Sequence, residues 1–346
     1  MNKKLFYLIL GAMLLFGSSH LFAQRGGRAQ EVLEVRLASP LPRDSPWGRT
    51  LDRIAAEWSR ITGGQVRLNI RHGGIEGNEA RMHLSLASNS IQAAIFTPFG
   101  LSSIDPSIMT VTMPFLIRTE SELNAVMNEI QGDLETRFNR GDHFMLAWSR
   151  SGFVNLFSRE PVFTPDDLRR LRVASSPEAV EMNTIFQTMG FQIFETDWTD
   201  VGTRLNAGTI TAIYNQPAAV AAFQLHRMAG NMLQINIAPV VGGVVMNQIT
   251  WRRIGELNPR FQSELLTATR RIAEEFDASL PPTVNDAVQV MSRSGLRVNQ
   301  PTTAQEQLWF NELDRALPSL MGVDALFDQE LHNRITSILT RYRAGQ

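Results

Sequence analysis

The chain has 346 residues, a formal net charge of −1, 43% hydrophobic residues and no cysteine. A balance this close to neutral excludes the basic footprint of a nucleic-acid-binding protein. The lack of cysteine excludes disulfides, thiol chemistry and a lipid anchor on an N-terminal cysteine.

Residues 1–23 are predicted to be an export signal. Lys3 and Lys4 form a basic start, residues 5–16 are apolar, and small and polar residues follow up to Ala23. The run falls short of the ~20 apolar residues that a membrane-spanning helix needs. Leu21 is large for the position two before Ala23, which keeps an uncleaved anchor open as the alternative. Cleavage would leave about 323 residues, a length for two domains. Residues 24–33 are polar and glycine-rich at their start and read as a flexible lead-in.

From residue 34 the pattern alternates between strand and helix. Val35 and Leu37 share one face of a strand, and Trp47, Leu51, Ile54, Trp58 and Ile61 follow at helical spacing. Gly63-Gly64 ends that helix. Val66, Leu68 and Ile70 alternate again, residues 79–87 read as a helix, and 91–96 as an apolar strand. Thr119 to Glu122 is a capping box opening a helix to about residue 130. Residues 144–148 and 154–158 are predicted as two strands. Thr164-Pro165-Asp166-Asp167 places a cap, a proline and two acids at a helix start. A strand at 171–174, a helix at 178–189, a strand at 191–194, a helix at 200–206 and a strand at 209–213 complete a second α/β unit. The remainder from 248 is predicted mostly helical, interrupted at Pro281-Pro282 because proline cannot donate and clashes with the preceding turn. Further helices are expected near 304–320 and 325–342.

The stretch from Arg159 reads R-E-P-V-F-T-P-D-D-L-R-R-L-R-V-A-S-S, and L-N-A-G-T-I-T-A-I-Y-N-Q-P follows from Leu205. Earlier come Arg36-Leu37-Ala38-Ser39 with Pro42, Trp47-Gly48, Thr62-Gly63-Gly64, Gly77-Asn78-Glu79 and Met113-Pro114-Phe115-Leu116. In order and spacing these segments resemble the solute receptors of tripartite ATP-independent periplasmic (TRAP) transporters, the DctP-like family, over residues 34–299. The resemblance implies an α/β, two-lobed periplasmic-binding-protein fold, with crossing strands, a long connecting helix and a ligand cleft between the lobes. It places residues 34–151 with 240–279 in the first lobe. Residues 152–239 with 280–346, including the C-terminal helices, go to the second.

Three positions depart from the family pattern. An arginine that clamps a ligand carboxylate in relatives corresponds to Ala174, a second common arginine to Val154, and an acid of the D-G-x-E-N turn to Tyr214. Arginine offers a carboxylate a matching fork of donors, and alanine and valine offer none. The expectation is therefore a periplasmic receptor for a hydrophobic or amphipathic, lipid-like molecule. The candidate wall is Phe153, Val154, Leu156, Ala174, Tyr214 and Asn215, with Phe96, Met113 and Phe115 from the facing lobe. The implied partners are the TRAP permease subunits and a periplasmic helical-repeat protein. An organic-acid receptor with a relocated clamp and a protein-interaction module are the alternatives.

No cofactor or metal is expected. The six histidines show no HExxH spacing, Gly73 to Gly77 lacks the lysine and hydroxyl of a P-loop, and there is no G-x-S-x-G elbow. An exported enzyme on the same frame is disfavoured for want of a nucleophile–base pair. Glu195, Asp197 and Asp200 beside Trp198 read as a solvated loop and helix start.

Overall fold

A computed structural model describes residues 32–321 and 327–345. The predicted export signal and most of the lead-in lie outside them. No helix among the described residues is long and apolar enough to cross a membrane.

Ten strands form along the described chain: β1 (Leu33–Ala38), β2 (Val66–Arg71), β3 (Ala93–Phe96), β4 (His143–Ser158), β5 (Arg172–Ser175), β6 (Gln192–Glu195), β7 (Ala212–Asn215), β8 (Asn231–Leu233), β9 (Ala238–Asn247) and β10 (Arg297–Asn299). Their order is β2-β1-β3-β9-β4-β7-β5-β6, with β8 joining β4 to β10. β1 pairs in parallel with β2 and β3, and β5 in parallel with β6 and β7. These parallel triplets are the two lobes. β4 and β9 lie between them, antiparallel from His143↔Asn247 to Val154↔Ala238.

The two strands expected at 144–148 and 154–158 are thus one strand of 16 residues. It holds because β9 partners its first part and β7 and β8 partner its last. Its register slips between Met145 and Ala147 and again between Arg150 and Phe153. Such bulges bend a strand and raise its twist. Gly152, in the second slip, has φ +83°, a left-handed conformation in which a side chain would be strained.

One apolar cluster runs through both lobes, joining Phe96, Leu123 and Ile130 to Leu156, Val173 and Phe186, and each lobe adds a cluster of its own. In the first, the helix Pro46–Ile61 turns Leu51, Ile54 and Trp58 onto the sheet and against Leu265, Ile272 and Phe276 of the helix Pro259–Arg293. Trp58 donates its indole N–H to Thr269 Oγ1 at 2.8 Å. In the second, Phe157, Val201, Leu205, Ile213 and Val220 pack with Met291 from the far end of the same long helix.

That helix runs 35 residues through Pro281 and Pro282 without the expected interruption. The two prolines withhold donors from the carbonyls of Asp277 and Ala278, four residues back. Ala278, Ser279 and Pro282 are exposed, so solvent reaches this turn of the helix.

The tail divides. The helix Thr303–Leu320 sits on the second lobe, where Trp309 donates to the Phe163 carbonyl at 3.0 Å and Arg169 pairs with Glu312 at 2.7 Å. The last helix, Gln329–Ala344, packs instead on the first-lobe helix Glu120–Phe138, contrary to the assignment of 280–346 to the second lobe. The reason is complementarity. Leu331, Ile335, Ile338 and Leu339 enter the core, while Arg334, Arg341 and Arg343 meet Asp133, Glu129 and Glu122.

Candidate functional site

A cleft of about 280 Å³ opens where β3, β5, β6 and β7 end. Ligands of open α/β sheets bind beyond the carboxyl ends of the strands. Thr97, Pro98 and Phe99 form the first-lobe wall, and Ala174, Ser175, Met182, Trp198 and Tyr214 the second. Val154 of β4 and Ala238 to Val240 of β9 make the floor.

Among the described residues that line the cleft, none carries a charge and none is a histidine. The wall therefore offers shape and neutral hydrogen bonds rather than proton transfer. Its polar groups cluster on the second lobe. Tyr214 Oη and Ser175 Oγ lie 2.5 Å apart. Burial pushes the Tyr214 phenol up to about 12, so it stays neutral and able to donate. The phenol ring stands edge-on to Phe186, with centroids 5.2 Å apart. Thr196 Oγ1 is buried with no hydrogen-bond partner among the described residues. An unmatched buried hydroxyl is costly, so a complementary group on a ligand would be favoured there.

The first-lobe wall is held from behind by Glu79. Its carboxylate accepts from Thr97 N at 3.0 Å and Thr97 Oγ1 at 2.8 Å. Burial raises the Glu79 pKa, and the bonds from Thr97 and Gly100 oppose the rise. Gly100 lacks a side chain for a reason: a Cβ there would lie 2.4 Å from both Glu79 Oε2 and the Phe96 ring.

The lobes touch across the mouth. Asn78 Nδ2 donates to Glu178 Oε1 at 2.7 Å, while Asn78 Oδ1 caps the helix Glu79–Ala87 by accepting from Arg81 N. Glu178→Ala removes the bridge and spares the cap. It is expected to weaken solute binding about fivefold, the worth of one exposed hydrogen bond of ~1 kcal/mol. Thermal stability should stay unchanged. Titration calorimetry with the native solute, beside a melting curve, reads both.

Four of the nine sequence candidates line the cleft: Val154, Ala174, Tyr214 and Asn215. Phe153, Leu156, Phe96, Met113 and Phe115 are instead buried in the core and are not part of the wall. Phe153 follows from strand geometry, since neighbours on β4 point to opposite faces and Val154 takes the cleft. Phe96 packs beneath Gly100. Phe115, at φ +63°, donates its N–H to the Ile237 carbonyl at 2.6 Å and lays its ring near Trp309. Sequence reasoning missed Thr97, Phe99, Met182, Thr196 and Gln216. One signal was present: Thr97-Pro98 directly after an apolar strand marks a helix start at a strand's carboxyl end.

A second, more polar cavity of about 440 Å³ lies between the helices Glu120–Phe138 and Pro259–Arg293. Glu120, Arg150, Arg270, Glu274 and Asp277 bring charge to its wall. Arg150 reaches Asn124 Oδ1 at 2.8 Å, and Arg270 reaches Glu135 Oε2 at 2.9 Å. Asp277 accepts from Ser149 Oγ at 3.0 Å and Arg150 N at 2.8 Å, tying the long helix to the bulged stretch of β4. Burial pushes the Asp277 carboxyl up to about 6, against the pull of those two bonds. No parallel strand triplet ends there.

Known proteins share this architecture. A solute-binding protein of Sulfitobacter sp. (strain NAS-14.1) is 25% identical over 231 residues, covering 65% of this chain and 69% of its own. A TRAP periplasmic solute-binding protein of Ochrobactrum anthropi, solved with a C-terminus in its ligand-binding pocket, superposes with a TM-score of 0.78 at 19% identity, covering 92% of this chain and 98% of its own. Another from Pseudomonas putida F1, with bound D-glucuronate, has a TM-score of 0.75 at 16% identity, covering 90% of this chain and 97% of its own. The family model for DctP matches residues 37–321. Two α/β lobes around crossing strands, a cleft at the strand ends and this match agree: the chain belongs to the DctP family, the bacterial extracellular solute-binding proteins of family 7.

Proposed function

We propose that this solute-binding protein takes a neutral, hydrophobic or amphipathic molecule in the cleft and delivers it to a TRAP-type membrane permease. The observation that carries the reading is the absence of any charged side chain from the described cleft wall, with Ala174 at the end of β5. The Pseudomonas putida F1 protein holds D-glucuronate, an acid. A carboxylate placed in the present cleft would be desolvated without a cationic partner, at a cost of several kcal/mol. An apolar molecule meets no such penalty and gains about 25 cal/mol per Å² buried. Its polar end would lie toward Ser175, Tyr214 and Thr196, and its apolar part against Phe99, Val154, Ala174 and Met182.

The lobes would close by bending β4 at the slip between Arg150 and Phe153, where Gly152 supplies the freedom. The boundaries that suit this motion are residues 34–151 with 240–279 against 152–239 with the helix Thr303–Leu320. Native mass spectrometry of the purified protein, followed by solvent extraction, tests the reading. A neutral apolar molecule is the expected companion. A copurifying organic acid would overturn the reading, because a cation elsewhere would then have replaced the clamp.

A further inference from the structure

The cleft is small for a lipid-like solute. Its 280 Å³ stands at the lower edge of the ~300–1,000 Å³ that small-molecule sites span. Exposed Asp197 and Asp200 flank Trp198 in the sequence, and an apolar path leads outward between the cleft and a second aromatic ring. Trp198, which lines the cleft, is 38% exposed, and Phe223, 59% exposed, meets it edge-on with ring centroids 5.6 Å apart. Phe223 ends the helix Pro217–Ala222, whose N-cap, Gln216, is itself a wall residue. Gln224, at φ +54°, turns the chain directly afterwards. Isolated exposed apolar residues are ordinary on protein surfaces. These two touch each other and extend the apolar part of the cleft wall onto the outside of the second lobe.

We propose that Trp198 and Phe223 form an outer shelf that carries the apolar tail of a solute whose polar end sits in the cleft. This rests on the neutral-ligand reading above and adds a length preference to it. The occupant is the alkyl chain of the bound molecule, because the shelf joins the cleft through Trp198 itself. An edge-on aromatic pair presents both a ring face and a ring edge to methylene groups, without demanding one exact shape. Selectivity would then be divided. The cleft selects a neutral head group, and the shelf rewards chain length.

The test is a series of straight-chain primary alcohols (hexanol, octanol, decanol and dodecanol) titrated into the wild-type protein and Phe223→Ser. In the wild type each added methylene is expected to tighten Kd about two- to fourfold through dodecanol, the upper figure being full burial of one CH₂. Phe223→Ser should leave hexanol binding unchanged and weaken dodecanol at least fivefold. Phe223 is exposed, so the variant removes no core contact. Tryptophan emission should shift to shorter wavelength with the long alcohols as Trp198 is covered. Hexanol binding with no gain along the series overturns the shelf and leaves the neutral-ligand reading standing. An equal loss for every alcohol in the variant also overturns the shelf. Failure of every alcohol to bind overturns both.

Discussion

Ala174→Arg is expected to weaken binding of the native solute at least 100-fold. Ala174 lies on β5, 5% exposed, packed with Val201 and Ile213 and facing the cleft. A guanidinium there enters a wall with no carboxylate to meet it, and a neutral solute would have to bury it unpaired. Leaving one charge uncompensated in such a site costs about 3–5 kcal/mol, which corresponds to two to three decades or more in Kd. The same variant is expected to acquire binding of D-glucuronate, since the new fork of donors would have a carboxylate to grip. Ala174→Leu separates charge from volume. It narrows the cleft without adding a cation, so it should reduce solute affinity while gaining nothing for glucuronate. Titration calorimetry on all three proteins, with circular dichroism to confirm folding, decides the matter. Unchanged affinity for the native solute in Ala174→Arg would mean that the solute does not pass this position.

The second large effect concerns pH and stability. The Asp277 carboxyl is raised to about 6 in the folded protein and returns to about 3.8 when the chain unfolds. Between those values the folded state holds a proton that the unfolded state has released. Unfolding free energy therefore falls as pH rises through that window, and it is flat above it for this group. The expected loss is up to ~3 kcal/mol between pH 4 and pH 6. Carboxylates in ion pairs act oppositely. Asp328, held low by the Leu331 amide and Arg137 against its own desolvation, gains stability as pH rises through its folded value. The wild-type curve sums such terms, so the informative quantity is its difference from Asp277→Asn. The variant cannot ionise and keeps one acceptor for the pair Ser149 Oγ and Arg150 N. It should be the more stable protein at pH 7, with the advantage shrinking toward pH 4. Urea unfolding at a ladder of pH values measures this, and parallel curves would refute a raised Asp277.

Glu274 and Arg150 face the same carboxyl, the first raising its pKa and the second lowering it. The site ties the long helix to the bulged part of β4, so the same titration touches the strand about which the lobes are proposed to bend.

Much of the fold was legible because local signals agreed with the global arrangement. The helix Pro46–Ile61 buries Trp47, Leu51, Ile54 and Trp58, the stripe that the spacing put there. Thr164 forms a complete capping box with Asp167. The helix Glu79–Ala87 has the predicted ends. Long-range pairing was not legible. The single β4 has no local signature through Ser149 to Gly152, where β9 pairs with Ser149 and Arg150 and Asp277 of the long helix bonds the same two residues. The helix Pro259–Arg293 defies its own prolines because neighbouring turns are pinned by Phe276 inside the first lobe and Met291 inside the second.

For the site, the sequence by itself determined which side chains are absent. No arginine stands at 154 or 174 and no acid at 214, and that chemistry needs no coordinates. Only the tertiary structure decided which apolar residues face the cleft and which face the core. Phe96, Met113, Phe115, Phe153 and Leu156 share the composition of a binding wall, but burial depends on what other segments bring against them. The Asn78–Glu178 bridge, the Ser175–Tyr214 pair and the Trp198–Phe223 shelf each join residues distant in sequence. Hydrophobic periodicity reports which face of an element is apolar. It carries no information about which second element, or which solute, covers that face.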